Sequence, residues 1–291
     1  VSLDHALAAS LTALDAAVAR RLAPVATELL TVTPTGTRLL DQDAAPVASP
    51  VPGTGAGAVD SADVSVPGIL LSQHATVASV PAAGTPLTGP GALTPAAVIG
   101  HSQGVLGVAL LEALRAAGDM SQDEATATQA VVDVHAVARL IGAAAARTTR
   151  RLDLGTVGES TPMLSVRGVA RPVLEAVLAQ VPGLADTVNV GVRNGRQAHI
   201  LSGRPTDLLR AVTALKAAAR RSERDRKERR RGGAVLAPVT EFLATSVPFH
   251  TPLLAPAVDA VVSWAATAGI DTALARDLAT AVLTAPVDWP D

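Results

Sequence analysis

Apolar residues recur at steps of three and four from residue 4 to 30 (DHALAASLTALDAAVARRLAPVATELL), which predicts helix over that span. A Pro-, Gly-, Ser- and Thr-rich stretch from about Ala44 to Val66 reads as loop, and Ile69 to Val80 resumes as helix. A second Gly/Pro-rich loop (PAAGTPLTGPGALTP) ends in the short apolar run Ala96–Ile99. Its two β-branched residues and its stop at Gly100 predict a buried strand. Val105–Ala117 is apolar and charge-poor, as a buried helix would be. Strand, Gly-rich corner and helix in this order make an α/β element.

From Thr161 the pattern changes. Met163–Val169, Val188–Arg193, His199–Gly203 and Val239–Val247 read as strands, the middle two joined at the Asn194–Gly195 turn. Pro172–Gln180 and Thr206–Arg221 read as the intervening helices. The order β-α-β-β-α-β is the ferredoxin-like arrangement. Helical periodicity returns in Ala255–Ala268 and Thr272–Leu283. The expected organisation is an α/β core over residues 1–160, an inserted ferredoxin-like subdomain over 161–247, and a return to the core over 248–291.

Composition narrows the chemistry. The 291 residues contain no Cys, which excludes thiol nucleophiles, disulfides and thiolate metal sites. A hydrophobic share of 48% against 17% charged residues argues for a folded body. Ala fills 59 positions, and Arg outnumbers Lys by 22 to 2, a bias that reads as genomic base composition. The four aromatic residues, Phe242, Phe249, Trp264 and Trp289, leave no stacking platform for single-stranded nucleic acid. A net charge of −2 gives no general attraction to DNA or anionic lipid. Residues 64–111 carry no charged side chain, but prolines and glycines break them into pieces too short to span a bilayer. The N-terminal residues lack a basic signal-peptide start. A cytoplasmic protein is the expectation, with no membrane or nucleic-acid partner and no metal. The run Arg220–Arg231 holds eight basic and three acidic residues, net +5, leaving −7 on the remainder. It reads as a solvated, ion-paired helix end; a patch for the phosphates of a carrier domain or coenzyme A is the competing reading.

The strongest chemical signal is Gly100-His101-Ser102-Gln103-Gly104, a G-x-S-x-G between predicted strand and helix. Small residues permit a strained turn that lifts the Ser102 hydroxyl clear, and the helix aims its positive end at the same spot. The backbone N–H of Gln103 could then meet an oxyanion. A serine needs a base. His5 and His74 fall in predicted helices, His101 should point away from the hydroxyl, and His135 and His199 lie in no motif. His250, in the proline-bracketed strand exit VPFHTP, ranks first, with a structural histidine as the competing reading.

GHSQG, TPMLSV, the NG…LSG pair and PFHTPLL, in this order and spacing, resemble the acyltransferase domains of fatty acid synthases. The likeness is greatest to the acetyltransferase domain of the type I synthases of actinobacteria and fungi, with SVPGILLSQ and ARLIGAAAA resembling the actinobacterial form. It runs from about Val64 to the C-terminus. The fold it implies is an α/β-hydrolase-like acyltransferase core carrying the ferredoxin-like insert. The implied activity is [acyl-carrier-protein] S-acetyltransferase. Ser102 would accept acetyl from acetyl-CoA with His250 as base, and pass it to the phosphopantetheine thiol of an acyl carrier protein. No cofactor would be permanently bound. Neighbouring domains of a homo-oligomeric synthase would be further partners.

The resemblance also implies that a backbone carbonyl orients the base, with Asp288 in Pro286-Val287-Asp288-Trp289 as the candidate, and that Ile141, Phe249 and Asn194 line the acyl pocket. Malonyl-transferring relatives hold the substrate carboxylate with an Arg in a segment ending Arg-Gly. Here that segment reads Leu140-Ile141-Gly142, which leaves a carboxylate unpaired and favours acetyl, provided Arg139 and Arg147 point elsewhere. The family's Gly-Gln-Gly turn and its closing Gly-Pro-Gly segment are missing. The expectation is a piece of a longer polypeptide that lacks half its oxyanion hole, a loss worth about 3 kcal/mol. A malonyl or long-chain acyl transferase, a serine hydrolase or thioesterase (with Asp207 or Glu241 as third member), and an inert scaffold segment are the alternatives.

Overall fold

The computed structural model describes residues 5–30, 61–79, 97–117, 124–229 and 236–288. By packing, the chain divides into two units: Val1–Arg147 with Pro256–Val282, and Thr148–Ala255 with Leu283–Asp291.

The described part of the first unit is helical. Helices α1 (His5–Arg21), α2 (Ala26–Leu30), α3 (Ala62–Ser79), α4 (Gly104–Ala117) and most of α5 (Glu124–Arg151) are joined there by most of α9 (Ala255–Thr267) and α10 (Thr272–Leu283). The single helix expected over residues 4–30 is interrupted by a 3-10 turn at Ala23–Val25, because Pro24 has no N–H to donate. Helix α3 begins seven residues before the expected Ile69, with Pro67 inside it. Burial of Val66, Pro67 and Leu70 outweighs the one backbone bond that Pro67 cannot make.

Helix α5 is the core of this unit. Its segment Val134–Ala146 is buried all round, which suits a helix without a polar face. The stretch Thr128–Arg151 has the length and apolarity to cross a membrane, yet most of it is buried inside the protein. At Gly142 an added Cβ would lie 2.4 Å from the Ala62 carbonyl oxygen, so α5 and α3 meet backbone to backbone. Polar ties complete the packing. Arg21 pairs with Asp133 at 2.8 Å and donates to the Gly269 carbonyl, while buried Arg139 pairs with buried Asp15.

The second unit holds the sheet. Strands β1 (Met163–Arg167), β2 (Val188–Arg193), β3 (Ala198–Gly203) and β4 (Val239–Phe242) are interleaved with α6 (Arg171–Ala179), the one-turn α7 (Leu184–Thr187) and α8 (Pro205–Arg229). The strand order is β4-β1-β3-β2-β5, with the pairings among β1–β4 all antiparallel. Strand β5 (Val287–Asp288) adds to β2 in parallel, Val192 opposite Val287. Leu164, Val166, Leu174, Leu178, Leu201, Leu208 and Leu215 form the core between sheet and helices. Strand β4 stops at Phe242 rather than Val247, since the chain turns at Leu243–Thr245 and reaches Pro248.

Two further expectations change. Ala97–Ile99 forms no strand: Val98 and Ile99 are 42% and 78% exposed, and among its described residues the first unit holds no strand for them to pair with. The expected divisions at 160 and 247 move to Thr148 and Ala255, and Leu283–Asp291 joins the second unit. The reason is hydrogen bonding. Asn189 of β2 donates to Thr251, Ser202 of β3 donates to the Phe249 carbonyl, and β5 extends the sheet, so the segment around His250 belongs with the strands. Helix α8 runs to Arg229 with solvated charges, including Glu223–Lys227 at 2.8 Å. A shallow groove of about 500 Å³ lies among Arg220, Arg221, Glu223, Arg224 and Lys227. Arg230 and Arg231 lie outside the described residues.

Candidate active site

The serine corner lies in the first unit. Ser102 has φ +54°, a left-handed backbone that a side-chain-bearing residue adopts at a cost of about 1–2 kcal/mol. Three successive bonds wind the chain from the corner into α4: Gly104 N–H to the His101 carbonyl (2.8 Å), Val105 to Ser102 (3.2 Å) and Leu106 to Gln103 (3.1 Å). Gly100 is required by close approach, because a Cβ there would sit 2.5 Å from the Gly104 carbonyl oxygen. Gly104 has open space around it, so of the two motif glycines only the first is dictated by sterics at this corner. Ser102 is partly exposed. Gln103 immediately precedes α4, at the positive end of the helix dipole. Its side-chain Oε1 is buried without a hydrogen-bond partner. Leu106, Leu110 and Ala113 anchor α4 in the core, and Gly107 lies against the Gln73 side chain of α3.

His250 lies in the second unit, 2% exposed, and has φ +60°. Its Nδ1 donates to the Ala285 carbonyl at 2.9 Å. A carbonyl can only accept, so in the neutral ring Nδ1 carries the proton and Nε2 is left as the basic nitrogen. Sequence reasoning assigned the orienting carbonyl to Asp288; the structure gives the bond to Ala285. The residues Thr284–Pro286 leave the helix end here, whereas Asp288 is committed to the ladder opposite Arg193 and its carboxylate pairs with the Arg193 guanidinium.

The peptides around His250 are held by β2 and β3. Buried Ser202 of β3 donates its hydroxyl to the Phe249 carbonyl (2.6 Å), and Asn189 of β2 donates its amide to Thr251 Oγ1 (2.9 Å). Gly191 sits where the β2–β3 register shifts, and a Cβ there would lie 2.7 Å from the His250 carbonyl oxygen. Sequence reasoning missed Asn189, Gly191, Ser202 and Ala285. A glycine inside the strand VNVGVR was the available signal, since it marks a bulge or a close backbone approach.

Of the expected pocket residues, Ile141 is fully buried in α5 of the first unit and Phe249 is buried beside His250 in the second. Asn194 is exposed at the β2–β3 hairpin, its backbone N–H closing the turn on the Ala198 carbonyl. Asn189, five positions earlier, is the asparagine that does reach the His250 loop. Arg139 is engaged with Asp15, and burial pulls its pKa down to about 9, so it stays cationic at neutral pH. Arg147 lies 5.6 Å over the Trp264 ring. Trp289 is outside the described residues.

The other histidines have structural surroundings. His74 Nδ1 and His135 Nε2 share a hydrogen bond of 3.0 Å in the first unit. Burial, and then repulsion from His74, push His135 down to about 3, and burial also lowers His74. His199 Nε2 donates to the Val169 carbonyl, and burial lowers its pKa. Among the described residues no group of three or more His, Asp or Glu could hold a metal.

The fold is mixed α/β, and its likeness is to the solved acyltransferases. Residues 162–242, which span β1 to β4, match the family model described as the fatty acid synthase central AT domain. No curated protein matches the chain in sequence. Among solved structures, it is similar to malonyl-CoA:acyl carrier protein transacylase (FabD) from Xanthomonas oryzae pv. oryzae, at 19% identity over 98% of this chain and 74% of that one, with a TM-score of 0.56. FabD from Acinetobacter baumannii shares 20% identity over 81% of this chain and 66% of that one, with a TM-score of 0.50. The acyl-carrier-protein-S-malonyltransferase of Bartonella henselae shares 16% identity over 81% and 67%, with the same score. The chain spans 41% of the solved acyltransferase domain of an iterative polyketide synthase in enediyne biosynthesis. At these identities the likeness is one of fold.

Proposed function

We propose that this chain loads a starter acetyl group from acetyl-CoA onto the phosphopantetheine thiol of an acyl carrier protein. The observation that carries the reading is the left-handed Ser102 at the first turn of α4 in a G-x-S-x-G sequence. His250, with Nδ1 bound to a carbonyl and Nε2 left to accept, supplies the chemistry of a base without a third carboxylate. Nε2 takes the Ser102 proton as Oγ attacks the thioester carbonyl. The tetrahedral oxyanion meets the Gln103 N–H at the helix dipole. Collapse breaks the C–S bond, and the departing coenzyme A thiolate takes the proton from the imidazolium. In the second half-reaction the carrier thiol gives its proton to Nε2, its sulfur attacks the acetyl ester, and Ser102 regains a proton from the imidazolium.

The similar structures from Xanthomonas oryzae and Bartonella henselae carry malonyl in their names, and the acetyl reading rests on this chain's own residues. Ile141 is apolar and fully buried, Arg139 is held by Asp15, and Arg147 lies over Trp264. Arg139 Nη1 has no hydrogen-bond partner, but a malonyl carboxylate reaching it would sit against the buried Asp15 carboxylate, and reaching Arg147 would mean drawing it off Trp264. The element order of the second unit supports reading it as the ferredoxin-like insert of such a transferase. In this reading the protein works in cytoplasmic fatty acid synthesis within a homo-oligomeric synthase, acetyl-CoA is a substrate, and no cofactor stays bound.

The test is to incubate the protein separately with acetyl- and malonyl-CoA and weigh it intact. An acetyl adduct that Ser102→Ala abolishes is expected. A malonyl adduct of equal yield would overturn the Ile141 argument. No adduct from either donor would favour an inert scaffold, and release of free coenzyme A without transfer to a carrier would favour a hydrolase.

A further inference from the structure

His250 holds a left-handed backbone that is costly for any residue but glycine, so something must pin the peptides on either side of it. On the far side, Thr251 N–H is tied to the Leu283 carbonyl (3.1 Å), and Thr251 Oγ1 accepts from Asn189 (2.9 Å) and from Leu253 N–H (3.3 Å). On the near side, the Phe249 carbonyl receives a side-chain hydroxyl, that of Ser202, at 2.6 Å. Ser202 and Asn189 face one another across the β2–β3 ladder. Two cross-strand neighbours thus bracket His250, one holding the peptide that enters it and the other the residue that follows it. The space between is kept clear by Gly191, where a Cβ would lie 2.7 Å from the His250 carbonyl oxygen and 3.1 Å from Ser202 Oγ.

We propose that Ser202 is a positioning residue for the base: its hydroxyl fixes the Phe249–His250 peptide plane and so aims the imidazole at its partners. Ser202 is fully buried, so its removal leaves the Phe249 carbonyl without a donor and without water to replace it. The plane then rotates, and the Nδ1 bond to Ala285 loosens with it. The inference rests on His250 being the base of the proposed transfer. Its core, that Ser202 sets the ring's geometry, can be read without turnover.

The test compares wild type with Ser202→Ala, Ser202→Cys and Ser202→Thr. Cysteine keeps the volume with a weak donor, and threonine keeps the hydroxyl. Two readouts are taken. One is the Nδ1 proton resonance of His250 by NMR, assigned through its loss in His250→Ala. The other is the pH profile of the single-turnover rate of Ser102 acylation by acetyl-CoA. Ser202→Ala and Ser202→Cys should lose the exchange-protected Nδ1 signal and acylate roughly 10²-fold more slowly with unchanged KM, and Ser202→Thr should restore both. A Ser202→Ala protein that keeps the Nδ1 resonance and the wild-type pH profile overturns the proposal, whatever its rate. If wild type fails to acylate yet Ser202→Ala still loses the resonance, the positioning role stands and the acyl-transfer reading falls.

Discussion

Lowering the pH from 7 to 5 should destabilise the helical first unit through His135. Burial among apolar side chains, and then repulsion from His74, hold the folded-state pKa at about 3 against an ordinary 6.5. Between those values the unfolded chain binds a proton that the folded chain refuses, so stability falls as pH drops through the window from about 6.5 to 3. At pH 5 the deficit is about 1.5 units of protonation free energy, or about 2 kcal/mol. His74, lowered by burial, acts in the same direction. The assay is urea unfolding at pH 7 and pH 5 followed by Trp264, buried in the same unit, in a background where Trp289 is replaced by Phe. His135→Gln, which retains a hydrogen-bonding group for His74, should remove most of the pH 5 penalty. An equal loss of stability in parent and variant would refute the assignment to His135.

Four glycine substitutions test the steric claims. Gly100→Ala places a Cβ 2.5 Å from the Gly104 carbonyl, which forces the corner open; Ser102 acylation followed by intact mass should fall at least 10²-fold. Gly142→Ala drives a Cβ to 2.4 Å from the Ala62 carbonyl at the α3–α5 contact, and should cost about 1–3 kcal/mol in denaturant unfolding of the first unit. Gly191→Ala should impair acylation more than Gly104→Ala, because a Cβ meets the His250 backbone at the first position and open space at the second.

Much of the second unit was legible in the sequence because its strands are short runs rich in β-branched and apolar residues, bounded by turn residues such as Asn194-Gly195. Val188–Arg193 was read to the residue, and β1 to its start, since apolar positions there face one layer of helices. The Ala-rich helices were legible as elements, but Pro24 and Pro67 show why their ends were not. One proline cut a helix and the other was absorbed, according to what each segment buries. The described residues Ala97–Ile99 depart from the expected strand for another reason. A strand exists only through a partner's hydrogen bonds, and residues that pattern as a strand do not reveal whether that partner is at hand.

The same division runs through the candidate site. The sequence by itself singled out the candidate nucleophile and the candidate base as residue types in motifs: a serine between glycines before a helix, and a histidine between prolines at a strand exit. Those are local properties, since φ preference, side-chain size and helix start are decided within a few residues. Only the tertiary structure decided that Ala285 rather than Asp288 holds His250, that Asn189 rather than Asn194 reaches its loop, and that Ser202 and Gly191 shape the space around it. The three hydrogen bonds among these contacts join residues 35, 47 and 62 positions apart, and the pairing register that creates them is a global outcome of packing. A hydrogen-bond partner so distant in sequence leaves no periodic trace in the chain, and so it becomes visible only when the sheet is assembled.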